Sequence, residues 1–122
     1  MMSKSICIVF NKAPYGSQAG RELLDIALMA AAFEMPITAI FIGQGVYQLL
    51  NNQQPDILNI KNHSATFKAL PLYDIEQILV DQNALHQFNL KQDDLLEIDE
   101  LQFSSTDDIK TRIANSDFVL TL

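Results

Sequence analysis

A chain of 122 residues has room for one domain, and 48% hydrophobic against 19% charged residues is enough to bury a core without metal or disulfides. Fifteen acids against eight bases leave a net charge of −7, the wrong sign for neutralising a phosphate backbone, so direct binding of RNA or DNA is not expected. One cysteine, Cys7, permits no internal disulfide and makes the cytosol the expected compartment.

The opening stretch MMSKSICIVF carries one lysine, an apolar run too short for a signal peptide and no small-residue cleavage site, so it reads as a strand. Within it, residues 6–10 form an unbroken apolar run rich in β-branched side chains, the pattern of a strand buried on both faces of a parallel sheet. Residues 11–20 have loop and turn chemistry. A helix is expected from Ser17, whose hydroxyl can cap it, to about residue 34. Its apolar stretch, residues 26–33, is far short of the roughly 18 residues that span a bilayer, and no membrane association is expected. That stretch also lacks a polar face. Either it is buried on both sides within one chain, or a second chain covers its outer side; the second reading is preferred for so small a domain, and oligomerisation follows from it.

Pro36 leads into a second strand at 37–42, ended by Gly43 and Gly45, and residues 46–50 suggest a short helix. Residues 51–62 are polar with Pro55 and read as a surface loop. Residues 64–70 suit a helix, 75–80 a third strand, 83–88 a short helix and 95–98 a fourth strand. Ser104 to Thr106 offer caps for a last helix, with Asp107 and Asp108 in its first turn and Lys110 and Arg112 towards its end. Residues 118–122 close the chain as a fifth strand. The alternation predicts an α/β fold: a single three-layer α/β/α domain over residues 1–122 with a mostly parallel five-stranded sheet and right-handed connections. Strand order is not readable from it.

The first loop spaces Gly16 and Gly20 as G-x-x-x-G. It lacks the close glycine pair of a dinucleotide loop and the Lys-Ser or Lys-Thr of a phosphate loop. A plain turn is the preferred reading, and weak anion attraction by the helix N-terminus stays open.

Four stretches, APYGSQAGRE, FIGQGVYQLL, FKALPLYDIEQ and the closing DFVLTL, resemble the DsrE/DsrF-like sulfur-relay family across nearly the whole chain. The resemblance implies a C-type subunit that joins B-type and D-type sisters in a heterohexamer, a dimer of trimers. Such a complex takes persulfide sulfur from an upstream carrier and hands it to a further small E-type carrier, on the way to 2-thiolation of the wobble uridine of tRNA. In the family's D-type subunit a cysteine follows the third strand at a helix N-terminus, where the helix dipole favours the attacking thiolate. The matching stretch here, IEQILVDQNALHQ, puts Asp81 at that position within a residue or so. A carboxylate cannot carry a persulfide. The resemblance therefore implies a subunit without a catalytic residue or cofactor of its own. Asn11, Tyr15 and Gly16 would shape the crevice at the strand ends without chemistry.

Cys7, flanked by Ile6 and Ile8, reads as a buried, inert thiol; the rival is a persulfide-carrying sulfurtransferase that uses it. His63 and His86 have no partners at ligand spacing, so no metal site is expected. A proton shuttle between Asp81 and His86 would have no nucleophile to serve. The acidic run 93–100 reads as a solvated edge, or as a surface for a basic partner. Ile26, Met29 and Phe33 on the first helix, with Tyr47, Leu50, Phe67, Leu72 and Tyr73, are the candidate subunit interface. A second rival is a stand-alone anion- or nucleotide-binding domain of flavodoxin-like shape.

Overall fold

The computed structural model describes residues 5–13, 19–50, 67–75 and 77–121, with Ala19 described by its backbone alone. Five strands, β1 (Ile6–Phe10), β2 (Ile37–Phe41), β3 (Gln77–Asp81), β4 (Leu101–Ser104) and β5 (Phe118–Leu120), form one sheet in the order β4-β3-β2-β1-β5. All four pairings are parallel. Among the described residues the helices α1 (Ala19–Ala32), α2 (Gln82–Gln87) and α3 (Thr106–Ala114) alternate with the strands, together with 3-10 segments η1 (Gly43–Leu49), η2 (Leu70–Tyr73) and η3 (Gln92–Asp94). The fold is the expected α/β architecture, with a fully parallel sheet.

The strand order decides which face each helix covers. Steps from β1 to β2, β3 and β4 all run one way, and right-handed connections then place their helices on one face; the step from β4 back past β1 to β5 reverses, so its helix falls on the other. Accordingly α1 and α2 pack through Leu23, Leu24, Ala27, Ala84 and Leu85 on the first face, over Ile6, Ile8, Phe10, Ile37, Ala39, Phe41, Ile78 and Val80. On the second face α3 packs Ile109 and Ile113 over Cys7, Val9, Ile40 and Leu79. The alternation of partners is the two-residue side-chain period of a strand.

Three expectations are corrected. No strand forms at 95–98. Lys91 and Asp94 close the turn η3, where the Asp94 carboxylate accepts from the Lys91 amide at 2.8 Å. Leu95 then makes a lone antiparallel bridge to Leu50, and the Leu96 amide donates to the Leu49 carbonyl at 2.8 Å. Leu95, Leu96 and Ile98 are buried as loop, and the fourth strand is Leu101–Ser104. An apolar run signals burial, not conformation. Second, the short helix at 46–50 is a 3-10 segment that begins at Gly43, where φ is 51°, a backbone region glycine enters without strain. Third, Phe67 is not an interface residue. It is fully buried, edge-on to both Phe10 and Phe41 at 5.6 Å, while those two rings stack at 4.6 Å.

The last helix follows its sequence closely: Ser105 is the cap, its hydroxyl accepting from the Asp108 amide at 3.2 Å, with Asp107 and Asp108 in the first turn and Arg112 in the last. Ser17, the loop 51–62 and residues 64–66 of the 64–70 segment lie outside the described residues.

Candidate functional site

In open parallel sheets ligands bind beyond the carboxyl ends of the strands. Here the described part of that region is tightly closed. The Ile42 amide donates to the Phe10 carbonyl at 3.1 Å, and a Cβ on Gly45 would overlap the same carbonyl. The Gln48 side chain, itself buried, donates from Nε2 to the Lys12 carbonyl at 3.1 Å, and Gly20 lies so close to it that any side chain there would collide. The gap among Phe10, Asn11, Lys12, Gly20 and Leu23 has no room for a water molecule. Asn11 itself is exposed, whereas Tyr15 and Gly16 lie outside the described residues.

Asp81 ends β3 and caps α2. Its Oδ1 accepts from the Asn83 amide at 2.9 Å. The Thr106 hydroxyl at the start of α3 donates to the same carboxylate, at 2.9 Å to Oδ1 and 3.1 Å to Oδ2, and accepts from the Asn83 side-chain amide at 2.8 Å. With 7% exposure, Asp81 is a nearly buried carboxylate whose bonds tie the β3–α2 turn to the β4–α3 turn. Such a group holds backbone in place; it has neither an open face nor a sulfur atom. Sequence reading saw Thr106 only as a possible helix cap. Ser105 takes that role, which frees the Thr106 hydroxyl for Asp81, a division that becomes visible only when the two turns are brought together.

Cys7, the protein's one cysteine, has no exposed surface. Its Sγ lies 2.7 Å from the Ser116 hydroxyl, which donates to the Arg112 carbonyl at 3.0 Å, so the thiol is the donor of the first bond. An acceptor could reach that sulfur only if α3 lifted from the sheet.

His86 is exposed on α2 and lines a shallow cleft of about 290 Å³ with Gln82, Leu85, Leu90, Lys91 and Gln92; His63 lies outside the described residues. Among the described residues no group of three or more His, Cys, Asp or Glu could hold a metal ion, and no helix is long and apolar enough to cross a membrane. In the acidic run, Asp93, Asp94, Glu97 and Asp99 are exposed.

The first helix is not buried on both sides. Met29 and Phe33 are 62% and 75% exposed, with Ile26 half-buried between the two sides. Segment η2, which packs beside α1, adds Leu72 and Tyr73, exposed by 85% and 50%. Tyr47 is half-buried with its ring against Phe88 at 5.0 Å, and Leu50 is half-buried beside its bridge to Leu95. Phe118, Val119 and Leu120 are also exposed. They went unremarked as surface in the sequence because a run of apolar residues in a parallel sheet reads as interior.

The sequence profile of the DsrE/DsrF-like family matches residues 4–122. The chain is 39% identical over 113 residues to a TusC homolog of Aliivibrio fischeri, covering 92% of this chain and 93% of that protein. It is 41% identical to a TusC homolog of Vibrio parahaemolyticus, covering 93% and 94%. With the protein TusC of Escherichia coli it shares 38% identity over 117 residues, 96% of this chain and 98% of the relative. In fold it superposes on the crystal structure of the ychN protein from E. coli with a TM-score of 0.82, over 99% and 100% of the two chains at 22% identity. By profile and by relatives alike, the chain belongs to the DsrE/DsrF-like family of sulfur-relay proteins.

Proposed function

We propose that the chain is the non-catalytic C-type subunit of a cytoplasmic sulfur-relay complex that serves 2-thiolation of the tRNA wobble uridine. In this reading it assembles with TusB-like and TusD-like sisters as a dimer of trimers. The D-type cysteine carries the persulfide and passes it to a TusE-like carrier. The relatives named TusC support the complex, and the sulfur chemistry of this chain supports its passive role. One observation carries the proposal: the protein has a single thiol, fully buried in the sheet, while Asp81 at the position matching the family cysteine is bound up by Asn83 and Thr106. The surface of Met29, Phe33, Leu72 and Tyr73 is apolar area of the kind that subunits cover.

Native mass of the chain co-expressed with its B-type and D-type sisters tests the assembly. A hexamer with two copies of each is expected, and a monomer indifferent to both sisters would end the proposal. Cys7→Ser then tests the passive role. Thiolation by the assembled complex should be unchanged; its abolition with assembly intact would make Cys7 a carrier and this chain a sulfurtransferase.

A further inference from the structure

At the amino ends of β1, β2 and β3, opposite Asp81, a cleft of about 310 Å³ opens among Ser5, Thr38, Asp74, Gln77, Arg112 and Asn115. Arg112 reaches it from the last turn of α3. Its Nη2 donates to the Thr38 hydroxyl at 3.2 Å and to the Gln77 side-chain carbonyl at 3.3 Å. These two bonds use both hydrogens of Nη2 and fix the guanidinium over β2 and β3, and among the described residues Nε and Nη1 donate to no acceptor. Among the described residues no carboxylate lies within ion-pairing distance of Arg112, and none of the described bases pairs with Asp74. The cleft thus holds one positive and one negative group that do not satisfy each other.

Its wall includes the apolar Pro36 and Ile37. A small free oxyanion is a poor match, because Asp74 repels it and the last turn of α3, the negative end of that helix, stands at the cleft.

We propose that this cleft docks a segment of a sister subunit that carries a carboxylate and a neighbouring basic side chain. The carboxylate accepts from Nε and Nη1 of Arg112, and the base pairs with Asp74. The inference rests on the sister-subunit reading above and names where and by what chemistry one sister is held. Opposite charges set in complementary order give such a contact its register and its salt dependence.

The test is the dissociation constant of the chain from its co-purified sisters at low and high salt, for wild type, Arg112→Gln, Arg112→Lys and Asp74→Asn. Arg112→Gln should weaken association by about tenfold or more and flatten its salt dependence. Arg112→Lys should recover part of that loss. Asp74→Asn should cost about threefold, and it leaves the fold undisturbed because asparagine accepts the φ of 65° that Asp74 adopts. If every variant binds like wild type, the cleft is not the dock while the sister-subunit reading stands. If Arg112→Gln weakens binding but Asp74→Asn does not, and the free variant melts early, the arginine only supports the fold and the proposal fails. Wild type that binds neither sister overturns both readings. A wild-type homodimer that Arg112→Gln returns to monomer would assign the cleft to a second copy instead.

Discussion

On the first face of the sheet α1, η1, η2, α2 and the loop at 95–98 stack over the strands and enclose the Phe10, Phe41 and Phe67 rings; on the second face, among the described residues, α3 covers Cys7, Val9, Ile40 and Leu79. The first face is held by apolar mass. The second has little, and polar ties stand in for it. One runs from each central strand to α3 or its end: Cys7 of β1 to Ser116, Thr38 of β2 to Arg112, and Asp81 of β3 to Thr106. The comparison gives Asp81 a structural role in this chain: it belongs to the set of side-chain bonds that seat α3 on the second face. The thick face has the opposite property: its outer surface, at Met29, Phe33, Leu72 and Tyr73, remains apolar after the chain is folded.

The largest effect is expected at the centre of the thick face. Phe41→Ala opens a cavity beneath two rings and should lower unfolding stability by about 4 kcal/mol, read by urea denaturation. Ile109→Ala removes the main apolar contact of α3 and should cost about 3 kcal/mol; a loss equal to or above that of Phe41→Ala would break the contrast between the faces. Asp81→Ala loses a helix cap and leaves the Thr106 hydroxyl without its acceptor, for about 2 kcal/mol. At a temperature where the variant stays folded, its assembly and the thiolation it supports should be nearly unchanged; collapse of thiolation with assembly intact would show that the carboxylate acts in the chemistry. The smallest effect on the free chain is expected at Phe33→Ser, within about 0.5 kcal/mol because the ring is already in water, while association with the sister subunits should weaken by about tenfold. An unchanged association would remove α1 from the interface.

Much of the fold was open to reading from the residues. The apolar runs around Ile8, Ile40 and Leu79 are strands because only burial on two faces explains β-branched side chains without alternation, and both faces are covered. The caps and charges from Ser105 to Arg112 define α3 because helix ends are satisfied by neighbours in sequence. Elsewhere the local signal was ambiguous: Leu95 to Ile98 is as apolar as a strand yet sits in the core as loop, whereas Leu101 and Phe103 alternate with polar residues and make the edge strand. Of the site, the Asp81 carboxylate between the third strand and a short helix was legible. Its partner Thr106 was not, because the two stand 25 residues apart and meet only when β3 and β4 pair.

By itself, then, the sequence determined an acidic α/β chain with a single, buried-strand cysteine, a first helix with an unbroken apolar stretch and a carboxylate at the end of the third strand. Those properties depend on residue type and on spacing within one element. The tertiary structure decided the order β4-β3-β2-β1-β5, and through it that α3 would lie on the opposite face from α1 and α2. It put Phe67 inside, and set Arg112 and Asp74 around one cleft. These depend on contacts between distant segments, whose free energy belongs to the pair and is written in neither segment alone.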